Sequence, residues 1–83
     1  MDQPIRTPKQ LGSALRRARR QADLGQQALG DRIELRQATI SGLEAGEPGT
    51  QLRTLFAVLN ALEMELVMRP RTKVSIQQIE DIF

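Results

Sequence analysis

The sequence predicts an all-α fold: a bundle of four or five short helices, followed by one C-terminal β-strand that pairs across a homodimer. Three observations predict it. Apolar residues recur at helical spacing in four successive segments between residues 8 and 62, each bounded by a capping residue, a break or a glycine. Residues 64–69 then switch to alternation with a period of two. Finally, 83 residues without cysteine or histidine make a minimal core with no disulfide and none of the commonest metal ligands, which leaves oligomerisation as the remaining staple.

The first helix is expected over Pro8–Gln21. Thr7 is its N-cap, Pro8 occupies the first helical position and Gln10 completes the spacing of a capping box. Leu11, Ala14, Leu15, Ala18 and Ala22 make one apolar stripe. Gly12 interrupts it, at an expected cost of about 1 kcal/mol relative to alanine. The second helix is expected over Gln26–Ile33, with Gly25 as N-cap, Leu24 as a hydrophobic staple and Ala28, Leu29 and Ile33 inward. A break at Glu34-Leu35 separates it from a third helix over Gln37–Ala45, in which Ile40, Leu43 and Ala38 face inward and Gly46 is the stop. After the loop Glu47-Pro48-Gly49, Thr50 is expected to cap a fourth helix over Gln51–Leu62. Its Leu52, Leu55, Phe56, Val58, Leu59 and Leu62 cover much of the circumference, which makes it the core element.

Met64-Glu65-Leu66-Val67-Met68-Arg69 reads as a strand closed by Pro70, with Met64, Leu66 and Met68 on one face and Glu65, Val67 and Arg69 on the other. A lone strand leaves backbone groups unpaired on both edges. The simplest partner is the same strand of a second copy, so Met64, Leu66, Val67 and Met68 are the expected dimer contacts. A continuation of the fourth helix is the alternative. Residues 1–70 are thus expected to form one domain that carries the helices and the dimer contacts. Residues 71–83 form a tail in which Ile76, Ile79, Ile82 and Phe83 recur at helical spacing after a capping-box pair, Ser75 and Gln78. That tail is either a short amphipathic helix or a disordered segment that orders on binding.

Composition narrows the function. Without cysteine or histidine, Cys–His and Ser–His–Asp nucleophilic chemistry is excluded. Asp31, Glu34, Glu44 and Glu47 are scattered along the chain and do not make a carboxylate site, so no enzyme, metal, cofactor or small-molecule ligand is expected. There is no membrane-length apolar run and no signal-peptide pattern, which reads as cytoplasmic. The formal charge is +2, but residues 1–24 alone carry Arg6, Lys9, Arg16, Arg17, Arg19 and Arg20 against Asp2 and Asp23, a net +4. A basic first third suits an anionic partner.

The informative stretch is LGQQALGDRIELRQATISGLEAG, residues 24–46. Two short helices joined by a three- or four-residue turn make a helix-turn-helix unit. The first braces on the DNA backbone and the N-terminal residues of the second read base edges in the major groove. Gly30 is the small residue at the helix crossing. On this reading Gln37, Ala38, Thr39 and Ser41 lie on the reading face. The Gln37 amide suits bidentate pairing with adenine, while the methyl groups of Ala38 and Thr39 suit a thymine methyl. Arg36 reaches either a guanine or a phosphate. Ser41 contacts DNA or bonds back to its own helix. Thr50 and Gln51, at the start of the fourth helix, are candidate phosphate contacts.

The stretch resembles the lambda-repressor-like helix-turn-helix family, which includes the XRE-type regulators. Gln26, Leu29, Gly30, Leu35, Gln37, Ile40, Ser41, Leu43, Glu44 and Gly46 carry the resemblance, which covers roughly residues 8–63. At finer grain, RQATISGLEAGEPGTQLRTLFAVLNALEMELVMRP, residues 36–70, is similar to the HipB-type antitoxins. The resemblance implies that Gln26 touches a phosphate and orients the first side chain of the reading helix. It implies a partly buried Arg19–Glu44 bridge between the first and third helices. It further implies a C-terminal strand shared between two subunits, double-stranded operator DNA as ligand, and a HipA-type Ser/Thr kinase toxin as partner. Two positions depart from the pattern: Glu34 stands where the family places a turn glycine, and Gly25 where it favours a Thr or Asn cap. A left-handed backbone at Glu34 would cost about 1 kcal/mol or more relative to glycine.

The expected function is therefore that of a sequence-specific DNA-binding repressor, the antitoxin of a HipBA-like toxin–antitoxin system that autoregulates its operon. A stand-alone XRE-family regulator without a toxin, and a protein-interaction module that has lost DNA binding, are the competing readings.

Overall fold

The computed structural model describes residues 3–71. They form four helices: α1 (Pro8–Gln21), α2 (Gln26–Arg32), α3 (Gln37–Glu44) and α4 (Leu52–Ala61). Helix α1 begins on Thr7, whose Oγ1 accepts the N–H of Gln10 at 3.0 Å, with Pro8 in the first turn. The Gln10 side chain turns back as in a capping box, but its Oε1 takes the N–H of Arg6 at 2.6 Å. One core holds the helices together: Leu15 from α1, Leu29 from α2, Ile40 and Leu43 from α3, and Leu55, Val58 and Leu59 from α4. Leu24, in the turn before α2, packs against this cluster and so places the start of that helix. Helix α3 packs on both α1 and α2, and α2 also packs on α4.

All four helices end in the same way. The residue after the C-cap takes a left-handed backbone, at Asp23 (φ 58°), Glu34 (φ 58°), Gly46 (φ 88°) and Glu63 (φ 55°). The next N–H then reaches back to a carbonyl of the last turn: Leu24 to Arg19 at 3.2 Å, Leu35 to Gly30 at 2.8 Å, Glu47 to Gly42 at 2.9 Å and Met64 to Leu59 at 2.9 Å. These are Schellman closures, which usually carry glycine at the left-handed position. Here three of the four carry an acid, at the negative end of the helix dipole. Glu34→Gly should therefore stabilise the fold. Relief of left-handed strain, about 1–2 kcal/mol, and removal of a misplaced carboxylate, about 0.3 kcal/mol, outweigh the added chain entropy of about 0.5–1 kcal/mol. Thermal unfolding followed by circular dichroism should show a midpoint raised by several degrees. A lowered midpoint would mean that Glu34 is not strained.

The closure at Glu63 also decides the segment that follows. Helix α4 stops at Ala61, so Met64–Pro70 does not continue it. The segment is free of helix, and this single chain offers it no β-partner among the described residues. Its apolar side chains are uncovered, with Val67 75% and Met68 98% exposed.

Several expectations need correcting. Leu52 and Phe56 are not core residues: they are 70% and 48% exposed, because α4 buries only the face formed by Leu55, Val58 and Leu59. Ala28 and Ala38 face solvent, since the larger Leu29 and Ile40 beside them take the inward positions. Thr50 is not the N-cap of α4. Its N–H and its hydroxyl both bond the carbonyl of Glu47, at 3.3 and 3.0 Å, so it closes the preceding turn and Gln51 becomes the cap. Gly12 is not a weakness in α1 but its contact point with α3. A Cβ there would lie 2.4 Å from the carbonyl oxygen of Glu44 and 2.5 Å from that of Leu43. The amphipathic pattern of residues 75–83, the candidate fifth helix, lies outside the described residues.

Candidate nucleic-acid interface

Helix α3 sorts its side chains by its packing. Ile40, Leu43 and Glu44 are buried, and this leaves Gln37, Ala38, Thr39 and Ser41 exposed on the opposite side, with Arg36 exposed as the N-cap residue. Beside them runs an open groove of about 550 Å³. Its walls bring Ala38 and Thr39 of α3 together with Thr50, Gln51, Arg53 and Thr54 at the start of α4. The structure thus brings two of the base-reading candidates, Ala38 and Thr39, and two of the three phosphate candidates, Thr50 and Gln51, to one groove, while Arg36, Gln37 and Ser41 are exposed outside its lining.

The third phosphate candidate, Gln26, joins that surface through a chain of hydrogen bonds that begins in the core. Arg19 and Glu44 form a buried ion pair, with side chains 8% and 5% exposed. Arg19 Nε donates to Glu44 Oε2 at 2.6 Å and its Nη2 to Oε1 at 2.9 Å, while Nη1 donates to the carbonyl of Leu24 at 2.7 Å. Glu44 Oε1 also accepts from Gln26 Nε2 at 3.2 Å, and Gln26 Oε1 accepts from Gln37 Nε2 at 3.3 Å. The pair therefore does three things at once: it joins α1 to α3, pins the turn before α2, and holds the first residue of α2 against the first residue of α3. Burial pushes the Glu44 carboxyl up, but the hydrogen bonds from Arg19 and Gln26, with the charges of Arg19 and Arg16, hold it below its ordinary value. The hydrogen bond to Glu44 raises Arg19 further, against the opposing effect of burial.

Two features escaped the sequence. Arg53 sits in the first turn of α4 and lines the groove, its Nε donating to Gln51 Oε1 at 2.6 Å. A cation at the positive end of a helix is unfavourable unless an anion lies nearby, and that misplacement is the signal by which it was recognisable. Arg17 Nη2 bonds Gln3 Oε1, which ties the N-terminal arm to α1. Among the described residues, no helix is long and apolar enough to cross a membrane.

Two short helices joined by a tight turn and tied to α1 by a buried ion pair, with an exposed polar row along the second, define a helix-turn-helix domain. A family model described as a helix-turn-helix domain matches residues 10–80. The antitoxin HipB of Escherichia coli K12 is 36% identical over 66 residues, covering 80% of this chain and 75% of that protein. HipB of E. coli O6:H1 shows the same identity over 70% of its length. Among solved structures, a HipB–O4 20mer complex matches with a TM-score of 0.80 at 34% identity, over 86% of this chain and 100% of that one. A chain of a structure described as a HipA–HipB–O2–O3 complex matches with a TM-score of 0.79 at 34% identity, over 86% of this chain and 100% of that one. The chain belongs to the helix-turn-helix family and, within it, to the HipB-type antitoxins.

Proposed function

We propose that this chain is a homodimeric, sequence-specific DNA-binding repressor and the antitoxin of a HipBA-like system, which represses its own operon and binds a HipA-like Ser/Thr kinase toxin in the cytoplasm. The observation that carries the DNA reading is Gln37. It stands exposed at the start of α3, held by Gln26 and flanked by Arg36, Ala38 and Thr39, as direct readout of base edges requires. Gln26, Thr50 and Gln51 serve as phosphate contacts, and Arg53 joins them. The HipA–HipB–O2–O3 complex among the structural relatives supports the toxin partnership.

The dimer rests on exposed apolar surface. Leu52, Phe56, Leu66, Val67 and Met68 are each 48% exposed or more, which is costly in a lone chain. Pairing of Met64–Arg69 with its copy satisfies the backbone and covers Met64, Leu66 and Met68. Sedimentation equilibrium should give a dimer at micromolar concentration, and Phe56→Glu should shift it towards monomer. A wild-type monomer would refute the arrangement. In the dimer, two reading helices related by a two-fold axis address half-sites about 34 Å apart, or a multiple of that spacing.

Gln37→Ala should lose about 1–3 kcal/mol of operator affinity and relax specificity at one base pair. Fluorescence anisotropy on duplex DNA checks this, and unchanged operator binding would show that the register of the reading helix is wrong. In the same assay affinity should fall steeply with salt as phosphate contacts release counterions. Negligible affinity even at low salt would leave a protein-interaction module. Co-purification from the native host tests the toxin: a kinase-sized partner at fixed stoichiometry supports it, and a dimer with DNA alone indicates a stand-alone regulator.

A further inference from the structure

We infer that Glu44, clamped by Arg19, is a positioning residue that sets which way round the Gln26 and Gln37 amides face, and thereby makes Gln37 select adenine over guanine. The inference rests on the DNA-reading role proposed above for Gln37. Glutamine is an ambiguous reader, because its amide presents an acceptor on one side and a donor on the other. What removes the ambiguity is a group at the far end of the hydrogen-bond chain that has one polarity only.

The Glu44 carboxylate is such a group. Ionised, it accepts and never donates, and Arg19 keeps it ionised by bonding both of its oxygens, at 2.6 and 2.9 Å. Gln26 must therefore turn its Nε2 towards Glu44 Oε1, at 3.2 Å. That leaves Gln26 Oε1 facing α3, so Gln37 must answer with its own Nε2, at 3.3 Å. Gln37 is left with a free Oε1 and one free N–H. The major-groove edge of adenine offers the N6 donor and the N7 acceptor, which fits one acceptor beside one donor. Guanine offers two acceptors, O6 and N7, and would need the amide reversed. Polarity passes from a buried charge through two neutral amides to the groove, and neither Arg19 nor Glu44 touches DNA.

The test uses the 83-residue protein and a library of randomised duplex DNA, with bound sequences read out at fixed salt. Wild type defines a motif, and Gln37→Ala marks the motif position that Gln37 reads by losing it. Glu44→Gln replaces the acceptor-only group with one that can also donate. Arg19→Met with Glu44→Leu removes the charges together and keeps the site filled, so a folded variant is available if Glu44→Gln does not fold. Circular dichroism confirms folding of each. The expected result is an adenine-over-guanine preference at that position reduced about tenfold, to near the Gln37→Ala level, with the rest of the motif retained. A folded variant that keeps the wild-type preference there overturns the inference and leaves the DNA reading intact. A wild type with no motif overturns both. A motif that Gln37→Ala leaves whole overturns the inference and the register of the reading helix, while DNA binding itself stands.

Discussion

Replacing either Arg19 or Glu44 alone with alanine is expected to lower the stability of the fold by about 3 kcal/mol, because each change leaves the other charge buried without its partner. The side chains are 8% and 5% exposed, so water cannot take over the lost contacts without opening the α1–α3 interface. For a domain of this size that corresponds to a fall of about 15 °C in the thermal midpoint. The double variant Arg19→Met, Glu44→Leu should recover most of the loss, since exchanging a buried pair for apolar residues of similar volume is often neutral or stabilising. Thermal melts of the three variants decide the matter, and single variants that melt with wild type would mean the pair is hydrated. The pair also predicts a pH dependence. The folded Glu44 carboxyl is held below its ordinary value of 4.5, so the unfolded chain takes up its proton first as pH falls. The stabilisation is fully present above about pH 4.5 and is lost as pH falls through the lower folded value. Glu44→Gln should be less stable at neutral pH but should flatten that acid limb.

Gly12→Ala is expected to destabilise the protein by about 2 kcal/mol or more, against the rule that alanine improves a helix. The gain in helix propensity is about 1 kcal/mol. Opposing it, the new methyl would stand 2.4 Å from the carbonyl oxygen of Glu44, 2.5 Å from that of Leu43 and 2.7 Å from the Glu44 carbonyl carbon. All three are backbone atoms of α3, so no side-chain rotation relieves the clash and α1 must lift away. Lifting α1 also draws Arg19 from Glu44, which compounds the loss. Gly25→Ser is the matching control. A Cβ at Gly25 meets nothing within 4 Å, and its φ of −75° suits any residue, so serine should change stability by only a few tenths of a kcal/mol, favourably. Chemical denaturation of both variants measures the contrast. Equal and small effects would show that α1 and α3 do not meet at Gly12.

Residue pattern alone revealed the helices, because their signals are local. Apolar spacing within a helix, the Thr7 cap and the Gly46 stop act over a few residues, and all seven buried apolar side chains lie on the stripes they define. The exposed row of α3 was legible for the same reason: once Ile40 and Leu43 face inward, Gln37 and Thr39 must face outward. Helix faces were less legible wherever apolar residues surround the axis. Nothing in the order of residues 52–62 says that Leu52 and Phe56 face away from the core, because that depends on what else packs on α4. The pairing of Arg19 with Glu44 came from the family resemblance rather than from spacing, since 25 residues separate them. Gly12 was misread because its close neighbour is the backbone of another helix, which leaves no trace in local sequence. The linkage of Gln26 to Gln37 likewise came from the resemblance, whereas its bond to Glu44 left no trace in the sequence. Local periodicity and capping determined which segments are helical and which side of each is greasy, because those forces act along the chain. Tertiary structure alone decided which surfaces stay uncovered, how closely backbones approach and which side chains connect the buried ion pair to the exposed start of α3, because those forces act between segments that the sequence keeps far apart.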